Sequence, residues 1–155
     1  MKTMYIMCGL PGSGKSTWAK RMVKSEGAII ISKDAIRTMI HGEYIFDNDR
    51  EPIVGAILTA IVSGIKLNID IIIDETNITQ ERRQRLVFLA HQYGYTPMIV
   101  YCKGNGKNLE NRMTEPKGYT KEKWEEVINK MQEDFEPPVG NECSFITCGE
   151  IGKDE

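Results

Sequence analysis

The chain has 155 residues, of which 41% are hydrophobic and 27% charged, with a formal charge of −2. That length suits one domain able to bury a core without disulfide or metal staples. The near-neutral balance excludes a globally basic nucleic-acid binder, and no apolar run approaches the roughly 20 residues a membrane helix needs. Charge is nevertheless uneven: from Asn77 to Lys123 nine Lys/Arg face four Glu, a balance of +5 that leaves −7 for the remainder. Such a stretch either guides phosphates or is a solvated face. Cys8, Cys102, Cys143 and Cys148 form no C-x-x-C pair and only two histidines accompany them, which argues against a zinc site. Lys2-Thr3-Met4 leads directly into the first apolar run, so no signal peptide is expected and the cytoplasm is the default compartment.

Strand and helix signals alternate along the chain. Met4–Cys8 is a short apolar run typical of a buried strand, and Lys15–Lys24 carries Trp18 and Met22 at helical spacing. Ala28–Ile31 predicts a second strand. Ser32 is a capping residue for a helix from Lys33 to about Ile40, with Asp34 in its first turn. His41–Arg50 is polar and reads as a loop. Glu51–Lys66 is helical in period, with Pro52 in a favourable early position. Ile69–Ile73 predicts a third strand. Thr79 starts a helix ending near Gly94, and Thr96–Tyr101 is a fourth strand. Residues 104–120 are a polar connection, Glu122–Phe135 is helical up to Pro137-Pro138, and Ser144–Thr147 is a short final strand. Strands separated by helices imply an α/β fold, a parallel sheet with helices on both faces, and ligands beyond the carboxyl ends of the strands.

Three motifs fall at those ends. Gly9-Leu10-Pro11-Gly12-Ser13-Gly14-Lys15-Ser16 matches G-x-x-x-x-G-K-S/T between a strand and a helix, and Thr17 follows it. Glycines let the chain wrap phosphate oxygens, and successive N–H groups with the helix N-terminus form an anion cradle. Lys15 then reaches the β- and γ-phosphates of ATP, and the Ser16 hydroxyl holds Mg²⁺. A guanine-reading N-K-x-D is missing: Asn129-Lys130 is followed by Met131-Gln132. Transfer to a hydroxyl needs a carboxylate beside the acceptor and cations around the moving group. Asp34 and Arg37, at i, i+3 on one helix, offer an acid and a cation after the second strand; a local ion pair with a helix-capping Asp is the plainer alternative. Ile71–Ile73 ends in Asp74, a Walker-B-like acid that either binds Mg²⁺, directly or through water, or orients Ser16. Thr76 and Asn77 follow as candidate γ-phosphate or acceptor contacts, and Arg112 and Lys117 are candidate cations of a flap at about 104–120.

Together the motifs resemble the 5′-kinase domains of the phage polynucleotide kinase family, within the zeta-toxin-like P-loop kinases. The matching pieces are GLPGSGKSTWAK, ISKDAIR, GEYIFDNDREPIV, DETNITQERR and ENRMTEPKG, in the family's order over about residues 4–135. The resemblance implies a single P-loop kinase domain over residues 1–155 with strand order 2-3-1-4-5. It implies ATP or another NTP as donor and Mg²⁺ as cofactor, with 5′-hydroxyl ends of DNA or RNA as acceptor and a place in nucleic-acid repair. Asp34 would be the general base, Arg37 the contact to the acceptor-side phosphate, and Lys15 and Ser16 the phosphate and Mg²⁺ ligands. Two departures stand out. The family's acid directly precedes the Thr of the T-N pair, where this chain has Glu75, with Asp74 one place earlier. The family's lid carries two arginines; Arg112 matches the first, and the second falls at Pro116 or, with a small gap, at Lys117. Asp47-Asn48-Asp49-Arg50 fails the D-x-D-G-T pattern of the 3′-phosphatase domain found in bifunctional members, so a stand-alone kinase is expected. A kinase for a small metabolite or nucleotide sugar, or a non-transferring ATP-binding module, is the alternative.

Overall fold

Apolar strand segments alternate with amphipathic helical ones, and the computed structural model, which describes residues 2–43, 46–104 and 120–148, folds them into a parallel α/β sheet. The elements are β1 (Thr3–Cys8), α1 (Lys15–Glu26), β2 (Ile29–Ile31), α2 (Lys33–His41), α3 (Glu51–Gly64), β3 (Ile71–Ile73), α4 (Gln80–Gln92), β4 (Thr96–Tyr101), α5 (Lys121–Asp134) and β5 (Phe145–Thr147). The strand order is β2-β3-β1-β4-β5, as expected for the P-loop kinase fold. The most apolar strands lie inside the sheet. Ile71, Ile72 and Ile73 are fully buried, whereas Ile29 on the edge strand β2 is 40% exposed. Strands buried on both faces read as unbroken apolar runs, which is why β1 and β3 lack alternation.

Side-chain parity divides the core. Met4, Ile6, Ile71, Ile73 and Ile99 pack with Val54, Leu58 and Val62 of α3 and Val87 and Ala90 of α4. Met7, Ile72 and Val100 point the other way, onto Trp18 and Ala19 of α1. Caps set the helix starts. Ser32 Oγ accepts from Ala35 N at 3.3 Å, Thr79 Oγ1 from Arg82 N at 3.3 Å and Thr120 Oγ1 from Lys123 N at 3.1 Å. Three strands are shorter than the sequence suggests, β5 by one residue, starting at Phe145. β3 begins at Ile71 rather than Ile69: on the β1 side the Asp70 side chain stands in for the backbone, its Oδ1 accepting the Thr3 N–H at 2.7 Å, while its carbonyl still accepts from Ile29 of β2 at 3.0 Å. β2 correspondingly starts at Ile29, and α3 stops at Gly64, where Ile65 turns extended.

An ion pair lies inside the protein. Arg83 and Glu142 are fully buried and bonded through both forks, Nε to Oε2 at 2.8 Å and Nη2 to Oε1 at 2.9 Å. Arg83 Nη1 also donates to the Asn77 carbonyl at 2.9 Å and reaches Cys8 Sγ at 3.6 Å. One guanidinium thus joins α4, the end of β1, the loop after β3 and the approach to β5. Removing one partner strands the other charge in a medium that cannot solvate it. We expect Arg83→Met or Glu142→Leu alone to lower the free energy of unfolding by about 3–5 kcal/mol in urea denaturation. The double variant Arg83→Met/Glu142→Leu should recover part of that loss, and additive single losses would contradict the pairing.

Candidate active site

Parallel pairing of β1 with β3 and β4 brings Cys8, Ile73 and Tyr101 to one edge, and the loops leaving them build the site. Gly9 starts the P-loop in a crowded place. Its N–H donates to the Thr76 carbonyl at 2.9 Å, and a Cβ there would overlap the Cys102 carbonyl oxygen and lie 2.6 Å from Ser13 Oγ. Gly12 and Gly14 take left-handed backbone, φ 77° and 97°, which turns the chain into α1 at Lys15. The Lys15 ammonium folds back into this loop, donating to the Gly9 carbonyl at 2.9 Å, the Leu10 carbonyl at 2.8 Å and Ser13 Oγ at 3.4 Å. It therefore lies inside the concavity that a phosphate group would fill. Thr17 follows on the exposed side of α1, and Pro11, Lys15 and Ser16 line the cleft beyond the loop.

The two acids after β3 point to different neighbours. Asp74 accepts from Ser16 Oγ at 3.2 Å, so the P-loop hydroxyl faces Asp74. Glu75 instead accepts the backbone N–H of Lys33 at the start of α2. Burial pushes its carboxyl up to about 7; the Lys33 bond opposes this and the Asp34 charge adds to it. Ser16 and Asp74 are hard oxygen donors. Among the described residues no three His, Cys, Asp or Glu side chains gather as a metal cluster. Magnesium held by one or two protein oxygens together with substrate phosphates fits such a set. Asn77 has φ 43° and donates its amide to the Met7 carbonyl at 2.7 Å, fastening the loop to β1. The Thr76 backbone holds Gly9, and both residues line the cleft.

Asp34 and Arg37 lie across that cleft. Arg37 Nη1 donates to Asp34 Oδ1 at 2.7 Å, so the i, i+3 pair does form. The stronger grip on Arg37 comes from Glu51 at the start of α3, through Nε to Oε1 at 2.8 Å and Nη2 to Oε2 at 2.9 Å. This bond holds the Arg37 guanidinium well above its usual range and the Glu51 carboxyl below its own. Among the described residues, these bonds use three of the five N–H groups of Arg37. Phe46, 51% exposed, lies with its ring centroid 5.2 Å from the same guanidinium. The cleft is about 730 Å³ and contains Lys15, Ser16, Asp34, Arg37, Asp74, Glu75, Thr76 and Asn77. Arg82 and Arg85 also line it, while Arg83, in the same basic stretch, is neutralised in the core by Glu142. Residues 105–119, with Arg112, Lys117 and most of the expected flap, lie outside the described residues. Glu51, Phe46 and Glu142 were not singled out by sequence reasoning. Glu51 sits in the DREPIV piece, but nothing local to it points back to Arg37.

A phosphate-wrapping loop, a strand-end acid on its hydroxyl and an acid–arginine pair across one cleft define a P-loop kinase-like domain. The chain belongs to the AAA domain family AAA_33, which matches residues 4–138. It is 31% identical over 104 residues to the 2′,3′-cyclic-nucleotide 3′-phosphodiesterase of Rattus norvegicus, a match covering 66% of this chain and 24% of that protein. It is 35% identical over 100 residues to the adenylate kinase of Thermococcus gammatolerans, covering 64% of this chain and 42% of that one. The chain thus spans about a quarter of the length of the phosphodiesterases it matches. Among solved structures, Kti12 of Chaetomium thermophilum in complex with ADP-AlF3 superposes with a TM-score of 0.70 at 16% identity, covering 95% of this chain and 89% of that one. A chain of the Pnkp1/Rnl/Hen1 RNA repair complex superposes with a TM-score of 0.65 at 23% identity, covering 87% and 46%. At these identities the structural likeness speaks for the fold. Among the described residues no helix is long and apolar enough to cross a membrane.

The position of Glu75 has a consequence for stability. Its carboxyl titrates near 7 in the folded protein against 4.5 for an ordinary glutamate, so the folded state holds the proton more tightly. The unfolded chain ionises first. Stability is therefore full below about pH 4.5 and falls as pH rises toward 7. Glu75→Gln removes this titration, and its melting temperature should exceed the wild type's by about 2–4 °C at pH 8 for each kcal/mol recovered. The gap should close by pH 4.5 in thermal melts across that window; a constant gap would refute the shift.

Proposed function

We propose that the domain is a kinase that transfers the γ-phosphate of ATP, or of another NTP, to the 5′-hydroxyl end of a DNA or RNA strand. One observation carries the reading: Asp34 and Arg37 share a cleft with Lys15, Ser16 and Asp74, which a nucleotide-binding module without an acceptor has no need of. In this mechanism the P-loop N–H groups wrap the donor phosphates. Lys15 exchanges the Gly9 and Leu10 carbonyls for the β- and γ-phosphate oxygens, where charge develops in transfer. Asp34 accepts the proton of the attacking hydroxyl, leaving Arg37 still compensated by Glu51. Arg37 holds the acceptor phosphate with its remaining donors, and Thr76 and Asn77 border the transferring group. Magnesium, when bound by Ser16 and Asp74, directly or through water, neutralises charge on the transferring phosphates. Arg112 and Lys117 supply further positive charge to the transition state, as the resemblance to polynucleotide kinases implies.

The acceptor class is supported by three features. Arg82 and Arg85 line the cleft and give a polyanion a basic approach. The exposed Phe46 beside Arg37 offers a face for a terminal base. One of the structures that share this fold is a chain of the Pnkp1/Rnl/Hen1 RNA repair complex. The similarity to adenylate kinase favours a second reading, a kinase for a small metabolite on the same scaffold.

Labelled ATP offered with 5′-hydroxyl and 5′-phosphate oligonucleotides separates the two. Label should enter only the 5′-hydroxyl strand. Asp34→Asn should slow that transfer by roughly 10²–10⁴-fold with ATP binding retained. Lys15→Ala should cost at least about 100-fold, the scale for losing a preorganised transition-state donor. An unlabelled oligonucleotide beside an efficiently labelled metabolite would move the assignment to the second reading.

A further inference from the structure

Two cysteines meet beneath the P-loop. β4 and β5 pair in parallel, with Tyr101 opposite Thr147, and the next residue on each strand is a cysteine. Cys148 N–H donates to the Tyr101 carbonyl at 2.7 Å, and Cys102 N–H donates to the Cys8 carbonyl at 2.8 Å, so the lateral alignment continues past the strand ends. Neighbouring strands lie about 4.7–4.9 Å apart, within the Cα separation of about 4.4–6.8 Å that a disulfide spans. Cys148 packs against the buried cluster that contains Cys102. Cys102 is 1% exposed, whereas Cys148 is only partly buried. Both touch the phosphate loop: a Cβ on Gly9 would overlap the Cys102 carbonyl, and the Cys148 thiol points at the Gly14 carbonyl at 4.0 Å. Cys8 is fully buried against Arg83, and the Cys143 thiol donates to the Ser144 carbonyl at 3.3 Å. Nothing in the phosphotransfer mechanism uses these thiols.

We propose that Cys102 and Cys148 are a dithiol modification site, which a peroxide converts into an intramolecular disulfide that weakens nucleotide binding at the P-loop. The accessible Cys148 reacts first, as a thiolate. Its thiol is held below the ordinary cysteine range, chiefly by its neighbour Cys102 and also by the charges of Arg21 and Lys15, with burial opposing. Its sulfur attacks one peroxide oxygen, the O–O bond breaks, and the departing oxygen leaves as water once protonated. Cys148 is then a sulfenic acid. The Cys102 sulfur attacks the Cys148 sulfur; the S–S bond forms, the S–O bond breaks, and the leaving hydroxide takes the Cys102 proton. Two thiols and one hydrogen peroxide thus become one disulfide and two waters. Closing the bond brings the two sulfurs to about 2.05 Å. Any shift of the strand ends is passed to the P-loop through the Cys102 carbonyl beside Gly9 and the Cys148 thiol at the Gly14 carbonyl.

The disulfide stands apart from the proposed kinase activity; only the nucleotide readout rests on it. The intact protein, reduced and then treated with hydrogen peroxide, is alkylated under denaturing conditions and mapped without reductant. The expected result is a peptide linking Cys102 to Cys148, removed by dithiothreitol, absent in Cys148→Ser and retained in Cys143→Ser. Cys102→Ser should let dimedone trap Cys148. A fluorescent ATP analogue should bind the oxidised wild type about tenfold more weakly, a typical scale of coupling between linked sites, with recovery on reduction and no change in Cys148→Ser. Failure to find the linkage, or a linkage that leaves affinity unchanged, overturns the proposal. Reduced protein that binds no nucleotide refutes the kinase reading instead, while the peptide map still decides the disulfide.

Discussion

The phosphate side of the site depends on the parallel pairing of β1 between β3 and β4. The register sets Ile6 beside Ile73 and Cys8 beside Tyr101, so three chain segments leave the sheet at one edge. Gly9 lies where they meet, with its N–H on the Thr76 carbonyl and its Cα face against Cys102. No side chain fits there, which is the physical reason the phosphate loop begins with glycine. The Arg83–Glu142 pair fixes the same junction from within the core, through the Asn77 carbonyl and Cys8. A shift of one strand would move the Ser16–Asp74 contact and the anchors of Thr76 and Asn77 together.

Charge in the cleft is arranged in opposed pairs. The Lys15 ammonium rests on carbonyl oxygens of its own loop, contacts that a phosphate can replace without leaving the lysine in an apolar medium. Arg37 is held by two carboxylates with different geometry: Glu51 takes two of its donors and Asp34 one. A bidentate bond orients a guanidinium more strictly than a single one. Glu51 therefore works as a positioning residue, keeping Arg37 aimed into the cleft while Asp34 stays able to change partner. Asp34 is also the more exposed of the two carboxylates, 44% against 24%, as expected of a group that meets an incoming molecule.

Local features were the ones legible in the sequence. The P-loop is a contiguous pattern between a strand and a helix, and Asp34 and Arg37 are one helical turn apart, so both could be placed from spacing. The strand order followed from the family resemblance and matches the sheet. Long-range partners were not legible. Glu51 meets Arg37 across 14 residues and a loop whose course no periodicity encodes, and Glu142 meets Arg83 across 59. The basic stretch after Asn77 counted Arg83 as a surface charge, yet its charge is cancelled in the core. The start assigned to β3 at Ile69 came too early for a similar reason: Asp70 lies within an apolar run, and its side chain meets Thr3 across 67 residues.

The proposed transfer requires one cleft to align a donor on Lys15 and Ser16 with an acceptor hydroxyl on Asp34. A crystal structure of the protein with Mg²⁺, ADP, aluminium fluoride and a 5′-hydroxyl oligonucleotide tests it most directly. The terminal 5′-oxygen is expected within hydrogen-bond distance, about 2.6–3.2 Å, of Asp34, with Arg37 on the adjoining phosphate and Lys15 moved from the Gly9 and Leu10 carbonyls to the phosphoryl mimic. An oligonucleotide bound elsewhere, or a 5′-oxygen turned away from Asp34 while the nucleotide fills the P-loop, would contradict it.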